Sequence, residues 1–340
     1  MNIAAIIVNY RTPHLALECL HALKQERRDR LHLKAIVVDN SSCDESVSVL
    51  SAALGEPEFR DWVEFLPLPI NGGFGWANNQ AILHLLQSQP KPEAFFLLNP
   101  DAAIERGALE ALVVALTEHP NVGAVGSQLL NPDGSCAGSA FRFPTIAREF
   151  VRGVGIGRIG KALGVSPIVM PFGMKGAVDW VTGASVLLRT KALEEAGLFD
   201  TGFFLYFEEV ELMHRLSRKG WAAFHCPESR VLHLAGASTG VVDGKADGSR
   251  VPPDYVFHSR RRYFALTGGK SQAFLANVAW LAGDLLRRII ENTIRRSAQN
   301  GGSERSVLLR LGLRAHGNDT LAAFDCVNDK CGGRPAWMRH

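Results

Sequence analysis

No stretch of eighteen or more apolar residues occurs in these 340 residues. The nearest, residues 273–282, is broken by Asn277 and followed by Asp284 and two arginines, so no membrane-spanning helix is expected. Cysteine is sparse and scattered: of Cys19, Cys43, Cys136, Cys226, Cys326 and Cys331, only the last two are close in sequence. No second Cys/His pair stands beside them at zinc-finger spacing. A disulfide framework and a zinc finger are excluded, and reduced thiols in the cytoplasm are expected. The opening MNIAAIIVNY has neither a basic region nor a small-residue cleavage pattern, so no export leader is expected. There is no internal repeat. The basic segments lack the interleaved aromatics and modules of nucleic-acid binding. The one Gly-x-Gly-x-x-Gly match, at 155–160, follows no strand, and the first strand–helix junction, residues 9–13, has no glycine; a dinucleotide fold is rejected.

What remains is an ordinary globular balance, 46% hydrophobic and 21% charged, long enough for one large domain or two ordinary ones. The first hundred residues alternate strand and helix. Residues 3–8 are a continuous apolar run rich in branched residues, of the kind buried on both faces; 33–38 reads as a second buried strand, 63–66 as a short strand and 95–98 as another. Helical patterns at 15–23, 45–54 and 76–87 separate them, which implies a doubly wound, mainly parallel sheet. Ligands bind beyond the carboxyl ends of such strands. Four polar clusters fall at those ends: Asn9-Tyr10, Asp39-Asn40, Asn71 and Asp101. Further on, the glycine-rich residues 150–176 read as a mobile loop and 240–254 as a flexible loop or lid.

Individual motifs are ambiguous alone. Asp101 in Asn99-Pro100-Asp101 suits a Mg²⁺ or Mn²⁺ shared with a diphosphate, and equally a turn. Asp39 suits an imide N–H of a pyrimidine, and Ser41 and Ser42 beside it suit helix caps. Asn71-Gly72-Gly73-Phe74-Gly75 allows close backbone approach to a ligand, or forms a plain turn. His233 lies beside Gly236 and Ser238, small and hydroxylic neighbours fit for a phosphate or metal. Trp180, before Thr182 and Gly183, offers a face for a sugar or a core contact. In FFLYFEEVELMHRLSRKGW, residues 203–221, Glu208, Glu209 and Glu211 follow five aromatic or apolar residues. Such a setting raises carboxylate pKa values and suits a general base. Acids also suit a helix start, and Glu211 to Arg215 is an i,i+4 pair.

Charge is unevenly placed. Residues 257–315 carry eleven Lys/Arg and three acids, +8 within a chain of net +3. Phe274, Val278, Leu281, Leu285 and Ile289 form a helical stripe with Arg287, Arg288, Arg295 and Arg296 at its end. That pattern fits an interfacial helix on an anionic membrane surface, or a core-facing helix with a solvated basic face.

Taken together, IIVNYRT (6–12), VVDNSS (37–42), NGGFGWANN (71–79), LLNPDA (97–102), residues 179–221 and HLAGAST (233–239) resemble the family-2 inverting glycosyltransferases of GT-A fold, most like the bacterial rhamnosyltransferase branch. The resemblance covers about residues 1–240. It implies a GT-A catalytic domain over 1–255 and a basic helical C-terminal region over 256–340. It implies that Val8, Tyr10 and Asp39 hold the nucleotide base, Tyr10 by stacking, and that Asn71 and Asn78 line the nucleotide-sugar pocket. Asn99 and Asp101 stand at the two ends of the family's D-x-D motif; with Asn at the first position, Asp101 carries the metal contact, and His233 meets metal or diphosphate. Trp180, Thr182 and Gly183 border the acceptor, Glu208 and Glu211 orient the site, and Glu209 is the base, a Glu where the family usually has Asp.

The expected activity is transfer of a sugar, a deoxyhexose such as rhamnose, from a nucleotide-diphosphate donor (dTDP-rhamnose favoured) to a hydroxyl of a cell-surface glycan or polyprenyl-diphosphate-linked acceptor, with inversion and a divalent cation. The expected location is cytoplasmic and peripheral at the inner face of the plasma membrane. The competing expectation, carried by Asn99, is a nucleotide-sugar-binding regulator or scaffold with little catalysis.

Overall fold

The apolar runs do form strands: 3–8 and 95–98 are buried on both faces, 33–38 is so from Ala35 on, and the edge run 63–66 is only partly covered. A computed structural model describes residues 1–27, 31–234, 253–293, 302–312 and 333–338. Its first half runs β1 (Asn2–Asn9), α1 (Pro13–Lys24), β2 (His32–Asp39), α2 (Ser46–Leu54), β3 (Val63–Pro67), α3 (Phe74–Leu85), β4 (Ala94–Leu98), β5 (Ala102–Ile104), α4 (Ala108–Glu118) and β6 (Val122–Leu130). It continues with β7 (Ala140–Phe141), α5 (Ile146–Val154), α6 (Gly157–Ala162), β8 (Gly176–Val178), β9 (Trp180–Val181), β10 (Ser185–Arg189), α7 (Thr190–Ala196), α8 (Glu208–Arg218), β11 (Ala222–His233), α9 (Asp254–Thr293) and α10 (Gly302–Gly312). The main sheet has the order β3-β2-β1-β4-β10-β6-β11-β5, with β8 paired to β11. Strands β3, β2, β1 and β4 are parallel, in the register Asn9↔Asp39 and Asp39↔Pro67; β10 is antiparallel to both neighbours. The carboxyl ends of β1 and β2 therefore sit side by side.

The two-residue period of β1 divides the core in two. Ile3, Ala5 and Ile7 face one side with Leu20, Leu50 and Leu112 of α1, α2 and α4. Ala4, Ile6 and Val8 face the other with Trp76, Ile82, Leu193 and Leu212 of α3, α7 and α8.

The reading of 150–176 as a mobile loop is corrected. Its first part belongs to α5 and α6, and α5 crosses α9 at glycines. A Cβ on Gly153 would lie 2.2 Å from the Trp280 carbonyl oxygen, and one on Gly283 2.2 Å from that of Phe150, so these glycines set helix separation rather than looseness. Beside this crossing Glu149 and Arg260, 2% and 4% exposed, form an ion pair at 2.7 Å, and Arg152 and Asn277 complete it. Helix α9 breaks at Gly268 and Gly269, the latter at φ 82°. Tyr263 and Phe264, before the break, pack with Phe203 and Val210, so the basic region reaches under the loop that precedes α8.

The basic charge is also partly internal. Arg260, Arg262, Arg287, Arg305 and Arg310 are paired with Glu149, Asp200, Asp284, Asp284 and Asp254. On the outer face of α9 Phe274, Val278, Leu285 and Ile289 of the expected stripe are exposed, joined by Leu275. Leu281 instead packs inward on Phe257 and Trp280. Arg295, Arg296, Arg314, Gly236, Ser238, Cys326, Cys331 and 240–252 of the expected lid lie outside the described residues. Among the described residues no helix is long and apolar enough to cross a membrane.

Candidate active site

At the ends of β1 and β2 the side chains hold one another. Asp39 is fully buried; its Oδ1 accepts from Asn9 Nδ2 at 2.8 Å and Ser42 Oγ at 2.6 Å, and its Oδ2 accepts from Ser42 N at 3.1 Å. Asn9 Oδ1 in turn accepts from Thr12 N at 3.1 Å. Arg11, Ser41 and Cys43 take positive φ angles of 61°, 57° and 56°, which non-glycine residues adopt only where the surroundings hold them. The reading of Ser41 and Ser42 as helix caps is corrected: α2 is headed by Glu45, and Ser42 instead joins Asn9 in holding Asp39, a tertiary arrangement. Tyr10 is half-buried with the Arg11 guanidinium 5.0 Å from its ring centroid. Val8 is buried in the core beneath.

Asn40 joins this cluster to the glycine turn. Its Nδ2 donates to Asn71 Oδ1 at 2.9 Å, and its Oδ1 accepts from Gly72 N at 3.3 Å. Gly73 is held at φ 91°, and a Cβ there would stand 2.0 Å from the Phe204 carbonyl oxygen. That contact presses the turn against the loop leading into α8, whose residue Phe204 accepts from Phe74 N at 3.1 Å. Asn78, 1% exposed on α3, donates to Phe74 O at 3.0 Å, while its Oδ1 has no partner. A buried acceptor left open is costly and suits a ligand donor.

The carboxyl end of β4 meets that of β11. His233 Nε2 lies 3.2 Å from Asp101 Oδ1 and 3.2 Å from the Asn99 side-chain amide. His233, linked to Asn99-Pro100-Asp101 in the sequence only through the family resemblance, thus forms one cluster with Asn99 and Asp101. The donor set of one carboxylate, one imidazole and one amide fits a hard divalent cation that keeps its other positions for phosphate oxygens and water. Among the described residues no group of three or more His, Cys, Asp or Glu side chains converges for a metal, so such an ion would rely on Asp101, His233 and the donor itself.

Helix α8 starts abruptly. Tyr206 and Phe207 both take left-handed φ, 67° and 68°, and turn the chain so that Glu208 and Glu209 head the helix. Glu208 is buried and abuts Gly75; Glu209 is half-buried, its Cβ 3.8 Å from where a Cβ on Gly183 would stand. Oε2 of each is sealed without a hydrogen-bond partner. Burial pushes the Glu209 carboxyl up to about 7, and burial together with the Glu209 charge lifts Glu208 well above the usual range. Glu211 differs. Its carboxylate is gripped by Arg215 at 3.0 and 2.8 Å, and Arg215 also donates to the carbonyls of Ala196, Gly197 and Leu198. It braces the loop rather than facing the pair.

The loop between α7 and α8 has further braces invisible in the sequence. Arg262 chelates Asp200 at 2.8 and 2.9 Å, and Asn79 exchanges two hydrogen bonds with Phe199. Across from Glu209, Thr182 and Gly183 lie between β9 and β10, and Trp180 is half-buried, stacked on Phe141 at 4.1 Å, its Nε1 donating to Arg142 O at 3.1 Å. The structure thus brings Asn71, Asn78, Gly183, Glu208 and Glu209 to one side, and Asp101 and His233 together at the sheet's carboxyl edge.

Residues 4–136 match the family model described as glycosyl transferase family 2. The chain is 28% identical over 282 residues to an N-acetylglucosaminyl-diphospho-decaprenol L-rhamnosyltransferase of Mycobacterium tuberculosis, covering 78% of this chain and 86% of that protein. It is 26% identical over 170 residues to rhamnosyltransferase WbbL of Escherichia coli, covering 48% of this chain and 61% of that one. Among solved structures it resembles a mannosyltransferase of Pyrobaculum calidifontis in complex with GDP-Man and Mn²⁺, with TM-score 0.54 and 18% identity over 91% of this chain and 79% of the other.

Proposed function

We propose that this chain, a family-2, GT-A, rhamnosyltransferase-like glycosyltransferase, transfers rhamnose from dTDP-rhamnose to a hydroxyl of a polyprenyl-diphosphate-linked glycan, inverting the anomeric carbon. The sugar and acceptor are supported by the Mycobacterium tuberculosis relative, whose name specifies an L-rhamnosyl donor group and a decaprenyl-diphosphate acceptor. The observation that carries the chemistry is Glu209: a carboxyl lifted to about 7, one oxygen sealed and unpartnered, beside Gly183, where only hydrogen occupies the side-chain position.

In this reading Glu209 takes the proton of the acceptor hydroxyl as that oxygen bonds to the anomeric carbon. The bond from that carbon to the diphosphate oxygen breaks, and its electron pair leaves with the nucleotide diphosphate. Attack from one face and departure from the other inverts the centre. A divalent cation, Mg²⁺ or Mn²⁺, bound by Asp101 and His233 with Asn99 alongside, would neutralise the charge of the diphosphate. Asn78 Oδ1 offers an acceptor to a sugar hydroxyl, Asn71 lines the same pocket, and Tyr10 lies where a base would stack near Asp39. Glu208, whose carboxyl is pushed up by burial and by the Glu209 charge, disfavours a second charge in the pocket. Trp180 and Thr182 border the acceptor side. The exposed Phe274, Leu275, Val278, Leu285 and Ile289, with Lys270 and Arg288, would seat α9 on an anionic membrane surface beside a lipid-borne acceptor.

The test is incubation with N-acetylglucosaminyl-diphospho-polyprenol, Mg²⁺ or Mn²⁺, and dTDP-, UDP- or GDP-sugars in parallel. Rhamnosyl transfer from the dTDP donor with inverted configuration by NMR is expected. Retained configuration would overturn the mechanism. Tight donor binding with neither transfer nor hydrolysis would instead favour a regulator.

A further inference from the structure

Residues 333–338 lie more than a hundred residues beyond α8 in sequence, yet they touch both sides of the candidate site. Trp337 Nε1 donates to Gly72 O at 2.9 Å, on the glycine turn. Trp76, 1% exposed just behind that turn, donates its Nε1 to Gly333 O at 2.9 Å. On the other side, Ala336 N and Trp337 N donate to Thr201 Oγ1 and Thr201 O at 3.2 and 3.3 Å. The Trp337 ring meets Phe204 edge-on at 5.1 Å, and Phe204 meets Tyr255 of α9 at 5.5 Å.

From this arrangement we infer that the C-terminal segment is a clasp, and that Trp337 is a positioning residue which fixes the Glu208–Glu209 loop against the donor-side turn. The loop needs such a hold. It carries two successive left-handed non-glycine residues, Tyr206 and Phe207, and Phe207 caps α8 with no side-chain hydrogen bond. Strained backbone persists only where its surroundings over-determine it. The other braces, Arg262 on Asp200, Asn79 on Phe199 and Ser259 Oγ on Leu205 O at 2.8 Å, hold the loop's flanks, and a single backbone hydrogen bond, Phe74 N to Phe204 O at 3.1 Å, joins the loop to the turn directly. Only the tail, among the described residues, hydrogen-bonds the Gly72 carbonyl and Thr201 at once. It also supplies the partner that a buried indole N–H requires. Glu209 stands two residues beyond Phe207, so a loop released at Thr201 and stripped of the ring packed on Phe204, with only the Phe74 N hydrogen bond left across to the turn, would let the carboxylate drift from the geometry that proton transfer needs.

The inference rests on Glu209 being the base, but its test has an arm that does not. In the full chain, Trp337→Ala should speed amide hydrogen exchange across 199–209 at least tenfold, leaving the β4 peptide at 94–98 unchanged. Trp337→Phe keeps a ring against Phe204 and loses the N–H to Gly72; it should fall between. Unchanged exchange at 199–209 in both variants overturns the clasp whatever the enzyme transfers. If Trp337→Ala loosens 94–98 as well, the Phe variant decides alone. In the transfer assay Trp337→Ala should lower kcat tenfold or more with the donor KM within about threefold, and Trp337→Phe should recover most of it. A loss confined to KM, or a rise in kcat as from a removed plug, would overturn the positioning role. Absence of transfer by the unmodified chain would fault the proposed activity and leave the exchange result standing.

Discussion

Replacing Glu209 with Gln separates catalysis from stability, because the same burial that makes the carboxyl a base at neutral pH opposes its ionisation in the fold. The folded group titrates at about 7 against an ordinary 4.5. The folded state therefore keeps its proton across that window while the unfolded chain loses it. Stability is fully present below about 4.5 and is lost as pH rises through about 7. At about 1.4 kcal/mol per unit, the difference has a ceiling of about 3 kcal/mol. Glu208 shares the pocket, so the two carboxyls titrate as a pair and part of this loss belongs to both. The Gln side chain matches the protonated form and carries none of the loss. At about pH 8 the variant should be more stable than the parent by up to about 3 kcal/mol, and near pH 4 the two should coincide. Transfer should fall by about a thousandfold or more, with donor binding kept. In the parent, kcat/KM should rise about tenfold per pH unit below about 7 and level off above it. Urea unfolding of both proteins at several pH values, with initial rates on the same preparations, reads all of this. Normal turnover by the variant, or a stability difference that does not change between pH 4.5 and 7, would refute the assignment.

Gly73→Ala should cost about 2–4 kcal/mol and most activity, since the new methyl would meet Phe204 O in a backbone region that only glycine adopts readily; thermal unfolding and initial rates check it. Arg260→Ala should destabilise by about 1–3 kcal/mol, because the buried Glu149 keeps Arg152 but loses the second of its two arginines. Replacing Glu149 and Arg260 together with Met should recover much of that loss, and urea midpoints measure both. Asp101→Ala should lift the metal concentration needed for half-maximal rate by tenfold or more while leaving the unfolding free energy from urea titration within about 1 kcal/mol. Flotation with anionic liposomes should carry the chain, and Phe274→Glu with Leu285→Glu should abolish flotation without changing solution stability; no flotation of the parent removes the membrane contact.

How far the site could be read in advance depended on how local each feature is. The strands at 3–8, 35–38 and 95–98 announce themselves because burial on both faces forces an unbroken apolar run. The polar clusters were visible for the same reason: Asn9, Asp39 and Asp101 are where those runs stop. The stretch 150–176 misled, because its glycines serve helix crossing at Gly153 and Gly283, a use that glycine content alone does not distinguish from mobility. Glu211 sat in the same run of acids as Glu209 but is consumed by Arg215, and nothing in their spacing says whether such a pair is exposed or buried.

By itself, then, the sequence determined the alternation of buried strand and helix, the polar residues at the strand ends and the abrupt meeting of aromatics and acids at 203–211. Each is set by burial and periodicity within a few neighbouring residues. The three-dimensional packing alone decided that Glu208 and Glu209 each keep a sealed, unpartnered Oε2 while Glu211 is paired, that Asp101, Asn99 and His233 share one point, and that Trp337 lies across Gly72 and Thr201. Desolvation and hydrogen-bond partnership depend on groups brought from distant parts of the chain, so they exist only once the fold has closed.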